Sequence, residues 1–216
     1  MIDAKRGHFL NVTSEIGGLK AVLLHRPGKE LERLTPDYLR ELLFDDIPWL
    51  RKMRDEHDEF ADILRQRGAR VYYVEDLLAE ILCDLDVKRN LINDILIHCN
   101  IENHELRELI FSYIFDKSPE EAAEIAIAGL NKKDIRDVDR EYSLSDYIRK
   151  DYPLYINPIP NLYFMRDPLS VIGNGLSINS MYADARRREP MLIKYIYDYN
   201  PLFRKEYPQI WYNYTI

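Results

Sequence analysis

Leu19-Lys20-Ala21-Val22-Leu23-Leu24-His25 is a short, nearly continuous apolar run closed by Arg26-Pro27-Gly28. Such a run predicts a buried strand, and the proline and glycine end it as turn formers. Downstream, Leu50, Met53, His57, Phe60 and Leu64 recur at steps of three and four. That spacing predicts a helix with one buried face, with Gly68 placed as its stop. Arg70-Val71-Tyr72-Tyr73-Val74 then reads as a second strand, rich in β-branched and aromatic residues. Strand, helix and strand in this order make the start of the chain α/β.

The pattern changes beyond this unit. Leu77, Leu78, Ile81, Leu82 and Leu85 form one apolar stripe, Leu91, Ile92, Ile95 and Leu96 a second, and Leu106, Ile110, Phe111 and Ile114 a third. All three have helical spacing. Ser118-Pro119-Glu120-Glu121 is a helix start, with Ser as cap, Pro in the first position and Glu three after the cap. Four or five short helices and no strand are expected here. Strand patterns then resume. Tyr152-Pro153 through Asn157-Pro158-Ile159-Pro160 favours extended backbone. Leu169 to Ile178 places Asn174-Gly175 between two alternating runs, a hairpin signal. Glu189-Pro190 opens another helix, and Pro208 to Tyr212 begins a last strand. The expected organisation is an α/β segment over 1–76, a helical insertion over 77–150, and a continuation of the α/β domain over 151–216.

Composition narrows the function. The 216 residues include 30 Lys and Arg against 37 Asp and Glu, a net charge of −7, with a pI near 5.3. A general nucleic-acid binder needs a basic stripe, so that class is disfavoured. Charged residues at 31% and hydrophobic ones at 46% are globular values. Cys83 and Cys99 are too few for a disulfide framework. No apolar run approaches the roughly 20 residues that cross a bilayer, and the first residues do not resemble a signal peptide. A soluble, cytoplasmic protein without membrane partners is expected.

Asn161-Leu162-Tyr163-Phe164-Met165-Arg166-Asp167-Pro168 gathers an amide, aromatics, a cation and a carboxylate ahead of the hairpin. On a regular pleat Asn161, Tyr163, Met165 and Asp167 share a face. A carboxylate so presented can take two hydrogen bonds from a guanidinium, although Asp before Pro is also a common turn initiator. Arg186-Arg187-Arg188 is either a solvated basic run or the source of one inward arginine that clamps a carboxylate. Cys83 continues an apolar stripe and reads as core. Cys99 has His98 beside it, but sequence neighbours on a helix point roughly 100° apart and do not form a catalytic pair. Metal-ligand spacings are absent. His57 reads as a satisfied core histidine, and His25 as either structural or functional.

Five separated motifs then agree in order and spacing with one family. Asn11-Val12-Thr13-Ser14-Glu15-Ile16-Gly17-Gly18-Leu19, Leu24-His25-Arg26-Pro27-Gly28, Leu42-Leu43-Phe44-Asp45-Asp46, Pro160 to Pro168, and Ala185-Arg186-Arg187-Arg188-Glu189 together resemble the arginine deiminases. The resemblance implies a partial pentein α/β propeller of ββαβ-type modules with an inserted helical domain. It implies hydrolysis of L-arginine to citrulline and ammonia without metal or organic cofactor, through a covalent cysteine adduct. By the same resemblance Asp167 grips the substrate guanidinium, Asn161 and Arg186 bind the amino-acid end, Phe164 packs on the aliphatic stem, and the Leu43 carbonyl meets the α-amino group.

The family's nucleophilic cysteine, general-base histidine and further carboxylates lie beyond the motifs found here. Cys83 and Cys99 both fall in the helical stretch, so no nucleophile is expected in this chain and no turnover by it alone. Exposed strand edges of a partial fan predict self-association. Two alternatives stand beside this reading: another guanidino-modifying pentein, such as an amidinotransferase or dimethylarginine hydrolase, and a truncated binding remnant without catalysis.

Overall fold

The apolar run forms β1 (Ala21–Leu24), which lies parallel to β2 (Arg70–Tyr73), with Ala21 opposite Arg70 and Leu24 opposite Tyr73. A computed structural model describes residues 10–135, 152–204 and 208–213. Parallel neighbours need a crossover. Here it comprises α1 (Lys29–Glu32), a 3-10 turn at Pro36–Tyr38 and α2 (Leu50–Gln66). On α2, Leu50 and Ala61 are buried, whereas Phe60 is exposed and departs from the predicted apolar face.

Val74, expected to end the second strand, instead begins α3 (Val74–Leu82), followed by α4 (Leu85–His98), α5 (His104–Phe115) and α6 (Pro119–Ala128). The local chemistry explains each start. Ser118 and Glu121 form a reciprocal capping box with Pro119 in the first turn. The Asp84 side chain accepts hydrogen bonds from the N–H groups of Asp86 and Val87, and this cap opens α4 immediately after α3. The break corrects the expected stripe. Leu85 stands on a new helix and is exposed, and Cys83, expected in the core, is an exposed thiol directed at the carbonyl of Ala79.

A short strand inside the helical stretch was not foreseen. β3 (Leu130–Asn131) pairs antiparallel with β4 (Leu154–Ile156). Gly129 makes the junction: its φ is +76°, and a Cβ there would sit 2.2 Å from the carbonyl oxygen of Ile156. Residues 136–151, which include the expected boundary at 150, lie outside the described residues.

β5 (Leu169–Ile172) and β6 (Gly175–Ile178) form the predicted hairpin. Its two loop residues are Gly173-Asn174, not Asn174-Gly175, because Ile172 pairs with Gly175. Gly173 supplies the positive φ of +58° at the first turn position, which suits a tight hairpin. α7 (Arg188–Tyr199) and α8 (Pro201–Arg204) then lead to β7 (Gln209–Asn213), parallel to β6.

The described residues are therefore α/β, with three small sheets and a continuous helical core among them. That core joins Val74, Leu78, Leu96 and Ile110 to Ile156 and Leu192. A smaller cluster of Leu31, Leu34, Leu42 and Leu50 lies under the loop before α2, with Phe44, Met53 and Ala185 packed on it. It connects two of the motifs singled out above.

Candidate functional site

The stretch from Pro160 to Pro168 is not a pleated strand. Leu162 N–H donates to the Ile159 carbonyl at 3.2 Å, Phe164 to Asn161 at 3.0 Å and Asp167 to Phe164 at 3.0 Å. These successive turns bring every third residue to one side. Leu162 and Met165 are buried and anchor the segment. The expectation that Asn161, Tyr163, Met165 and Asp167 share a face is therefore corrected. The turns place Phe164 and Asp167 together, which a pleat would have separated.

Both meet Arg186, at the end of a 3-10 turn (Asp184–Arg186) that leads into α7. Arg186 Nη1 donates to Oδ2 of Asp167 at 2.8 Å. Its Nε and Nη2 donate to the two carboxylate oxygens of Glu189, each at 2.8 Å. The guanidinium carbon lies 6.0 Å from the centre of the Phe164 ring, within cation–π range. Tyr163 packs on the same ring with centroids 4.1 Å apart. Asn179 supports the acid by donating Nδ2 to the Asp167 carbonyl at 2.7 Å.

The two carboxylates have different surroundings. The Glu189 side chain is 0% exposed and the Asp167 side chain 48%. Burial pushes the Glu189 carboxyl up, while the Arg186 guanidinium beside it opposes that rise. For Arg186, burial works against the charge, but the hydrogen bonds to Glu189 and Asp167 outweigh it and hold the guanidinium above its ordinary value. Glu189 thus anchors the arginine from within, and Asp167 meets it at the surface. Of the five N–H donors on a guanidinium, three are used in these bonds.

Asn161 is buried and donates Nδ2 to the Leu42 carbonyl at 2.9 Å. This bond fastens the Leu42–Leu43 loop to the turn segment. Leu43 has φ +62° and an exposed side chain, an uncommon conformation for a branched residue without Asn or Gly character. The Phe44 N–H, donated back to the Leu39 carbonyl at 2.9 Å, closes the reversal.

The three arginines are neither a uniform solvated run nor one inward residue among surface ones. Arg186 joins the carboxylates, Arg187 pairs with Asp184 at 3.0 Å, and Arg188 is buried, donating to the carbonyls of Ala126 and Asn157. Glu189 was missed by sequence reasoning. The signal available was its i,i+3 spacing from Arg186, which favours an ion pair on a helical turn.

The remaining candidates lie elsewhere. Cys99 and His98 line a cavity of about 760 Å³ with Leu42, Ala185 and Arg188; Asp167, Phe164 and Arg186 are not among its lining residues. His57 is half-buried beside Tyr73, and its Nδ1 has no hydrogen-bond partner, so it is not a satisfied core histidine. Among the described residues, no group of three His, Cys, Asp or Glu side chains is arranged to hold a metal ion, and no helix is long and apolar enough to cross a membrane.

The Arg186 guanidinium is thus held by one buried and one open carboxylate beside an aromatic ring, a pairing of planar cation and carboxylates within the chain itself. The profile of a family described as Arginine deiminase matches residues 40–216. The arginine deiminase of Bacillus cytotoxicus is 45% identical over 206 residues, covering 95% of this chain and 50% of that relative. That of Clostridium perfringens is 45% identical over 206 residues, and that of Streptococcus sanguinis 46% over 198. The chain belongs to the arginine deiminase family. It spans about half the length of the curated relatives it matches.

Proposed function

We propose that this chain supplies the N-terminal part of an arginine deiminase, a hydrolase that converts L-arginine and water to L-citrulline and ammonia. The observation that carries the reading is the Arg186–Asp167 pair beside Phe164. L-Arginine presents the same two charges in reverse. Its guanidinium can replace Arg186 on Asp167, and its α-carboxylate can take the Nη1 N–H of Arg186 that Asp167 gives up. One ion pair is exchanged for two, so neither protein charge is stranded. Glu189 keeps Arg186 in place during the exchange. Phe164 lies against the aliphatic stem, and Asn161 holds the Leu42–Leu43 loop from which the Leu43 carbonyl meets the α-amino group.

The covalent step needs a thiolate that attacks the guanidinium carbon. Ammonia then leaves after protonation, and a histidine-activated water releases citrulline. Neither Cys83 nor Cys99 fits that role: Cys83 is exposed at the end of α3, and Cys99 lines a cavity that does not include Asp167. In this proposal the nucleophile, with the base that serves it, comes from residues outside this sequence. In the same proposal the α/β portions 1–76 and 151–216 are modules of a pentein propeller interrupted by a helical insertion over 77–150. The complete protein works in the cytoplasm without metal or organic cofactor. The chain alone self-associates through strand edges.

The test is an assay for citrulline and ammonia using polypeptide of verified 25.7 kDa mass. No turnover is expected from it, and turnover is expected from a longer chain that includes the missing half. Sustained citrulline formation at 25.7 kDa would overturn the placement of the nucleophile.

A further inference from the structure

His25 follows β1 and is 4% exposed, yet both of its ring nitrogens face carboxylates. Nδ1 lies 3.0 Å from Oε2 of Glu75, and Nε2 lies 3.1 Å from Oε1 of Glu30. A neutral imidazole has one N–H, so one of these contacts would set a ring lone pair against a carboxylate oxygen. Only the imidazolium donates to both. The acceptors are themselves fixed: Glu30 is 2% exposed and also accepts the Gly28 N–H, while Glu75 Oε1 accepts the Arg26 N–H at 3.3 Å.

We propose that His25 is an imidazolium clasp that fastens the loop after β1, together with α1, to α3. None of the five family motifs required this role, and it does not depend on the proposed reaction. Glu30 lies in α1 and Glu75 in α3, so one side chain ties two elements 45 residues apart in sequence through charge-assisted hydrogen bonds. Release of the clasp also reaches the Leu43 loop, because Leu31 of α1 packs with Leu34, Leu42 and Leu50.

The surroundings agree with a cation. From α2, Asp58 is neutralised by Arg26 at 2.7 Å, and His57 is held below its ordinary value by burial, with the His25 charge adding to that effect. From α7, buried Glu189 feels the His25 charge, although its direct partner is Arg186. A cavity of about 290 Å³ beside the clasp is lined by Asp76 of α3 and by Glu120 and Glu124 of α6; its cations are engaged elsewhere, Lys29 with Glu124, Arg26 with Asp58, and Arg54 of α2 with the Pro27 carbonyl at 2.8 Å. Burial alone would lower the His25 value. The hydrogen bonds to Glu30 and Glu75 and their charges outweigh it and raise it from 6.5 to about 9. A raised histidine stabilises the fold fully below pH 6.5, and that contribution is lost as the pH climbs to about 9.

The experiment is imidazole nitrogen–proton correlation NMR on the whole chain from pH 6 to 10. His25 should show both nitrogens protonated at pH 7.5 and a midpoint near 9, and the backbone amide of Leu43 should follow the same midpoint. Glu30→Gln and Glu75→Gln should each lower that midpoint. His25→Gln should lower the melting temperature at pH 7, with the difference gone by pH 10. Titration near 6.5, or a single neutral tautomer at pH 7.5, would overturn the clasp. A Leu43 amide unmoved through the transition would overturn its transmission to the loop. The measurement on the unaltered chain decides the matter even if a variant does not fold.

Discussion

Arg186 donates Nη1 to Oδ2 of Asp167 at 2.8 Å across 19 residues of sequence, while Glu189 holds the other edge of the same guanidinium. The arginine is thus fixed on its buried side and exchangeable on its open side. This asymmetry separates the anchoring carboxylate from the one available to a ligand, and it leads to measurable differences between them.

Glu189→Gln should be strongly destabilising. It leaves Arg186, 13% exposed, without its bidentate partner, and breaking a buried pair from one side costs about 3–5 kcal/mol. Asp167→Asn should cost less than about 1 kcal/mol, because half-exposed ion pairs contribute little. Urea unfolding of the two variants checks the order. A larger loss for Asp167→Asn would contradict the assignment of Glu189 as anchor.

Gly129→Ala should lose at least about 2 kcal/mol, since the new Cβ meets the Ile156 carbonyl at 2.2 Å and the φ of +76° disfavours any side chain. Gly18→Ala, with nothing within 4 Å of the added carbon, is the matched control and should change the midpoint little.

Ser118→Ala should cost about 1 kcal/mol by removing one half of the capping box at α6. Because Ala122, Ala123 and Ala126 of that helix lie in the core, the loss should appear in the main unfolding transition and not as local fraying. A separate early transition in helical circular dichroism would speak against this coupling.

Asp58→Asn should matter mainly in the pH dependence. The hydrogen bonds from Arg26 hold the Asp58 carboxyl below its ordinary 3.8. A depressed acid stabilises the fold above its unfolded value, and that contribution is lost as the pH falls through the folded one. The variant should therefore be slightly less stable at pH 7 and equal to the parent in strong acid, as stability curves from pH 2 to 7 can show. A difference that grows toward acid would have the wrong sign.

Much of this architecture could be read from residue patterns because it is governed by local rules. The β1–α2–β2 unit follows from apolar periodicity, and the capping box and hairpin follow from side chains that satisfy or bend the nearby backbone. The failures have equally local causes. Asp84 restarts a helix within what looked like one stripe, and so expels Cys83 and Leu85 from the core. The proline-stiffened stretch does hold the extended β4, but the Asn161–Asp167 segment after it, read as a pleat, closes into turns with Leu162 and Met165 buried in the core. The two-residue β3 is too short to leave a periodic signal. At the site, Asp167 and Arg186 were legible as chemistry, but their contact depends on packing between distant elements. Glu189 and the His25 clasp depend on burial, which spacing alone does not report.

Substrate exchange at Asp167 and Arg186 is tested by backbone NMR mapping of this chain titrated with L-arginine and, separately, with L-citrulline. If Asp167 and Arg186 form part of a guanidino-substrate site, arginine should shift Phe164, Asp167, Arg186 and Glu189 selectively. Citrulline, whose ureido group is neutral, should shift Asp167 much less. Equal responses to the two ligands, or arginine shifts confined to the cavity around Cys99, would contradict the assignment.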